Sequence, residues 1–183
     1  TALAFLNSDI AASFAAITWL IIEWYRERKP KFVGFMTGAV AGLATITPAA
    51  GLVGMPVAAL MGIIGAITCY LAVHIKNRME WDDALDVWGV HGIGGVTGTI
   101  LLGVFASTAI NPAGADGLLY GGTAFFIKEL VVVVITSIYA FVFTYIMLML
   151  INAITPVKVS DEEELAGLDI SIHGECAYDT GVF

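Results

Sequence analysis

Apolar residues run in long blocks, broken by short polar or charged stretches. A membrane-spanning helix needs about 20 mostly apolar residues. Five blocks approach or exceed that length, at 3–24, 32–50, 52–75, 84–108 and 120–154. The breaks between them are distinct. A charged stretch follows the first block, from Glu23 to Lys31. Pro48, Gly51, Gly54 and Pro56 make an uncharged turn after the second. Lys76, Arg78, Glu80, Asp82 and Asp83 follow the third, Asn111-Pro112-Ala113-Gly114 the fourth, and Pro156 the fifth. The pattern predicts an all-α membrane protein with five transmembrane helices in 1–154 and a polar tail in 155–183. The last block is too long for one straight crossing. Thirty-odd helical residues reach roughly 50 Å, against a hydrocarbon core of about 30 Å, so this helix must tilt or project.

Composition supports the same class. Hydrophobic residues make up 58% of the 183 residues and charged ones 13%, where a soluble domain carries about 25% charged. Twenty glycines fit closely packed membrane helices better than a barrel. Gly34, Gly38 and Gly42 recur every four residues, as do Gly94 and Gly98, and such faces let backbones approach closely. The net charge of −8 excludes a nucleic-acid binder, which needs clustered basic charge. Cys69 and Cys176 form no disulfide framework. No signal peptide is recognisable, and a start at Thr1 rather than Met suggests that something preceded it.

The basic residues predict orientation. Arg26, Arg28, Lys29 and Lys31 lie in the first connection, Lys76 and Arg78 in the third, and Lys158 in the tail. The positive-inside rule puts these three segments in the cytoplasm and residue 1 outside. Lys128, beside Glu129, is the exception.

Few residues in the spans could carry chemistry. His91 lies within Asp86-Val87-Trp88-Gly89-Val90-His91-Gly92-Ile93-Gly94-Gly95, one or two turns into the fourth block. An ionisable residue at that depth is a functional candidate by default. A neutral imidazole both donates and accepts a hydrogen bond, which suits proton or small-cation handling. The structural alternative is a histidine bonded to a carbonyl across a glycine-rich interface. Asp86 precedes an apolar helix, where a carboxylate caps free N–H groups; ion binding is the other reading. Asp83 could contribute to the same helix start. Asn7 and Asp9 fall near the outer end of the first span, and His74 reads as interfacial. Thr45, Thr47 and Pro48 can open the end of the second helix, since hydroxyls satisfy freed backbone groups. The tail carries seven acids and one base. In it, Ser160 with Glu163 three residues on forms a helix-start pattern. No catalytic constellation, metal-ligand set or cofactor motif is recognised.

The stretch from Asp86 to Gly95 resembles the signature of the ammonium transporter (Amt/Mep/Rh) family. Other stretches agree in order: Ala4-Phe5-Leu6-Asn7 with Thr18-Trp19, then Gly42 to Gly51, then Gly167-Leu168-Asp169 with His173-Gly174-Glu175 and Ala177-Tyr178. The resemblance covers nearly the whole chain. It implies an eleven-helix inverted-repeat fold, assembled as a homotrimer with one pore per subunit in the cell membrane. This chain would supply the last five helices. It implies that His91 is the second of two pore histidines, that Val87 lines the same pore, and that Thr47 lies near the inner pore. The substrate would be ammonium or ammonia. The first pore histidine and the outer aromatic gate belong to earlier helices, so an N-terminal transmembrane half is an expected partner. Alone, the chain should not form a complete pore.

The tail resemblance implies regulation through Gly167, Asp169, Ser171, His173, Gly174 and Tyr178. Ser171 falls where related tails carry a phosphorylatable residue, and a PII-type signal protein is a possible partner. Two alternatives remain open: an ammonium sensor, and a gas channel of the Rh branch.

Overall fold

A computed structural model describes residues 2–176. The chain divides into two compact units, Thr1–Ile135 and Thr136–Phe183. Among the described residues all regular structure is helical. The first unit holds α1 (Ala2–Glu27), α2 (Phe32–Ile46), α3 (Met55–Arg78), a π-helical turn (Trp88–Gly92) that runs into α4 (Ile93–Phe105), and a 3₁₀ turn (Leu118–Tyr120). It also holds the start of α5 (Thr123–Asn152).

Small residues decide how the first unit packs. The buried stripe of α1 repeats every four residues: Asn7, Ala11, Ala15, Trp19, Glu23. A Cβ added to Gly42 of α2 or to Gly62 of α3 would collide with the Ala11 carbonyl. Three backbones therefore meet at Ala11. Thr45 is a second meeting point, where a Cβ on Gly65 of α3 or Gly98 of α4 would strike its side chain or its carbonyl. In lipid, apolar burial does not drive helices together, and close backbone approach supplies the dispersion contacts instead. Ile46, Val53, Ala58, Met61 and Leu102 fill the core beside these crossings.

Three predicted spans change at their edges. The second block, read as 32–50, is helical only to Ile46. Pro48 has no N–H to continue the ladder, and the Thr47 hydroxyl is turned back onto the Leu43 carbonyl at 2.6 Å. The resulting 15 residues reach about 22 Å, short of a bilayer core. The remainder, 47–53, is an irregular turn that buries Ala49, Ala50 and Val53. Such backbone is tolerated at membrane depth only where protein satisfies it. Asn7 does so, donating from Nδ2 to the carbonyls of Ala50 and Val53, both at 2.8 Å. The third helix starts at Met55 rather than 52, with Pro56 in its first turn. The fourth is not helical from 84, because Asp86 has φ +54°, a conformation that interrupts a right-handed helix. Four helical stretches are long and apolar enough to cross a membrane: Ala2–Glu27, Met55–Arg78, Trp88–Phe105 and Thr123–Asn152.

The long loop before α5 is fastened by Asp116. Its carboxylate accepts from the Thr108 N–H at 2.7 Å and from the Thr108 hydroxyl at 2.9 Å. α5 is apolar on all sides and has no buried residue. A helix hydrophobic all round belongs in a protein core or a membrane. Its 30 residues span about 45 Å.

The second unit begins within α5 and continues to α6 (Asp161–Ala166) and a π-helical turn (Asp169–His173). α6 starts with the expected capping box. The Ser160 N–H donates to Glu163 Oε2 at 2.9 Å, and the Glu163 N–H donates to Ser160 Oγ at 3.3 Å. The Ser160 backbone and hydroxyl donors hold the exposed Glu163 carboxyl below its usual range.

Candidate functional site: the turn that carries His91

The turn before α4 is built by its neighbours. Asp83 carries the cap: its two carboxylate oxygens accept from the N–H groups of Val87 and Trp88, both at 2.9 Å. The cap expected at Asp86 is therefore supplied three residues earlier. With φ positive, Asp86 instead directs its carboxylate to Lys76, at 2.7 Å. The Lys76 ammonium is almost fully buried and also donates to the Asp83 carbonyl at 2.7 Å. This ion pair ties the loop to the end of α3. A buried charge is tolerable only when it is paired and hydrogen-bonded in this way.

One side of the π turn is pinned to α3. Gly89 lies against Val73, where a Cβ would strike the valine side chain. Val90 is 2% exposed, and its carbonyl accepts from the Cys69 thiol at 3.6 Å. One turn on, Gly94 meets Cys69, Ala44 and Thr45. The other side has no such neighbours. Val87 is half exposed, His91 is exposed, and a Cβ on Gly95 would meet nothing within 4 Å. Residues four apart share a helix face, so Val87, His91 and Gly95 line one open face. The π geometry adds a residue to the turn, and such bulges recur at functional sites. Trp81 packs edge-on against Trp88, 5.1 Å between ring centres, at the foot of this turn.

Thr47 is exposed at the C-terminal end of α2. That end packs against the start of α1, through the Asn7 clamp on 50–53. The basic connection 28–31 joins the opposite end of α2. Thr47 thus lies toward the end of the bundle away from the basic connection 28–31. No hydrogen bond joins it to His91 among the described residues.

The tail candidates lie together in the second unit. Gly167 has φ +96° and Gly174 φ +69°, and both end helical turns in conformations suited to glycine. The Ser171 hydroxyl donates to the Gly167 carbonyl at 3.1 Å, and the Asp169 carbonyl accepts from the Glu175 N–H at 3.3 Å. His173 is exposed in the same turn. Tyr178 lies outside the described residues.

Sequence reading missed three groups in the first unit. It places Glu23 in the charged stretch after the first span, does not foresee the Lys76–Asp86 pair, and does not weigh Asp116. The four-residue spacing of Glu23 from Trp19 was the available signal.

Apolar helices of spanning length, joined at glycine crossings and bearing an ionisable side chain on an open face, define a polytopic membrane protein. Comparison with known proteins then narrows the class. The model of the Ammonium Transporter Family matches residues 1–178. The chain belongs to that family. It is 42% identical over 176 residues to an ammonium transporter of Bacillus subtilis, covering 96% of this chain and 44% of that protein. It is also 42% identical over 177 residues to a putative ammonium transporter of Methanothermobacter thermautotrophicus, again covering 96% and 44%. The crystal structure of Saccharomyces cerevisiae Mep2 superposes with TM-score 0.82 and 31% identity, over 87% of this chain and 37% of that one. The chain spans less than half the length of the curated relatives it matches.

Proposed function

We propose that this chain takes part in ammonium transport across the cell membrane, contributing the second pore histidine, His91, and the cytoplasmic half of the pathway. The observation that carries the reading is the divided π turn. Its α3 side is locked, while its other side leaves Val87 and His91 exposed and the space over Gly95 empty. An ionisable side chain on such a face, in an apolar helix, suits a pathway for a polar solute. A bare cation in hydrocarbon is costly. A neutral imidazole can accept a hydrogen bond from ammonium, or exchange one with ammonia. Potassium has no proton to donate, so the same group discriminates between the two.

The finer parts of this reading are five membrane segments, with α2 and its irregular turn as the second, and an eleven-helix inverted repeat completed by an N-terminal half. A homotrimer, a cytoplasmic tail and a PII-type regulator belong to it as well. They rest on the sequence resemblance and on the basic first and third connections. For the tail, phosphate on Ser171 would add charge near Asp169 and Glu175 and favour undocking by repulsion.

The test is His91→Ala in the full-length membrane protein, reconstituted in liposomes, with currents recorded after ammonium and potassium pulses. The expected result is loss of ammonium current or of the preference for ammonium. Unchanged current and unchanged preference would remove His91 from the pathway.

A further inference from the structure

The inner end of the α1 stripe holds a buried acid that the pore reading does not use. Trp19 is 3% and Glu23 7% exposed. The Glu23 carboxylate occupies the space beside Gly34 of α2 that any side chain there would fill. Neither Glu23 Oε2 nor Trp19 Nε1 has a hydrogen-bond partner. Both residues line a cavity of about 270 Å³ between the ends of α1, α2 and α3.

Around the cavity Glu23 has no ion pair in contact, and the Lys31 charge acts on it only from a distance. Glu27 is engaged by Lys31 on the rim, and Asp86 is engaged by Lys76. Arg26 is placed over the Tyr70 ring, 5.6 Å from its centre. His74 of α3 faces the same space. Among the described residues no ion pair reaches Glu23. A buried carboxylate with no counter-charge in contact is costly. A buried indole N–H without an acceptor is costly too. The site therefore asks for a donor at Glu23 and an acceptor at Trp19 at once. Its volume exceeds that of several water molecules, each about 30 Å³.

We propose that this cavity binds a small N–H-donating monovalent cation of the ammonium class together with water. The cation donates to the Glu23 carboxylate, and a water of its shell accepts from Trp19 Nε1. The site lies at the foot of the bundle, apart from the open face of His91. The assignment deepens the ammonium reading and rests on it for the identity of the cation.

The test uses the full-length membrane protein carrying His91→Ala, which separates this site from the pore. The indole N–H resonance of Trp19, assigned through Trp19→Phe, is followed while ammonium chloride is added. Potassium chloride at equal ionic strength is the control. The expected result is a saturable shift with ammonium and a smaller, non-saturating one with potassium. Glu23→Gln should weaken the ammonium response at least tenfold, and Glu23→Asp should retain most of it. A Trp19 resonance indifferent to ammonium, or equally responsive to potassium, overturns the site. So does a Glu23→Gln protein that titrates like its parent. If Glu23→Gln does not fold, the parent and Glu23→Asp titrations still decide. Ammonium currents of the protein with His91 intact are recorded alongside. Their absence would count against transport, while the resonance reports on the site separately.

Discussion

The two ends of α1 bury polar side chains on the same stripe, sixteen residues apart, with different outcomes. At one end, Asn7 is fully buried and gives both amide protons to the carbonyls of Ala50 and Val53, while its own Oδ1 meets no donor. At the other, Glu23 is nearly as buried and has a carboxylate oxygen that nothing meets. Burial of a polar group is therefore not one kind of feature in this bundle. Asn7 replaces the helical bonds that the turn at 47–53 cannot make for itself, so it is a lock. Glu23 is given room by Gly34 and a cavity in front of it, so it holds a place for something else.

Removing the lock should have the largest effect. Asn7→Ala deletes two hydrogen bonds and strands two buried carbonyls, at roughly 1–3 kcal/mol for each unsatisfied group. We expect about 2–5 kcal/mol of destabilisation, read as a fall in denaturant or thermal midpoint in detergent. An unchanged midpoint would mean that the turn does not depend on Asn7.

Filling the room at the other end comes next. Gly34→Ala puts a Cβ where the Glu23 carboxylate sits. Overpacking of this kind costs about 1–3 kcal/mol. The carboxylate should leave its place, and the Trp19 resonance should lose its response to ammonium. A Gly34→Ala protein with the parent's midpoint and titration would show that the carboxylate does not depend on this space.

The smallest effect is at the rim. The hydrogen bond from Lys31 to Glu27, and then the Glu27 charge, raise Lys31 above the ordinary lysine value of 10.5. A raised value means that the stabilisation is complete below pH 10.5. It is lost as pH climbs through the raised value. In Glu27→Gln the titration of Lys31, followed by NMR, should move down toward 10.5. No movement would break the assignment of that pair.

Much of this was legible along the chain, for physical reasons that are local. Apolar blocks of spanning length, broken by charge, give the helices because backbone groups in lipid must be satisfied internally. Gly34, Gly38, Gly42, Gly94 and Gly98 announced close crossings, since only glycine leaves that space. Ser160 and Glu163 announced a capping box, which needs only four residues. The motif around His91 pointed to the family that the comparison returned.

Other features depended on partners distant in sequence. Nothing around Asn7 says that its amide will meet Ala50 and Val53. Along the chain Asp86 reads as the cap and Asp83 only as a contributor. The positive φ at Asp86 and the position of Lys76 on α3 give the cap to one and the ion pair to the other. Glu23 reads as one more charge in a charged hinge until Gly34 is laid against it. The sequence by itself determined which segments form apolar helices, because hydropathy and backbone bonding act within a segment. Only the tertiary structure decided which polar groups in those segments are satisfied and which stand open, because a hydrogen bond is settled by where its partner's atoms lie.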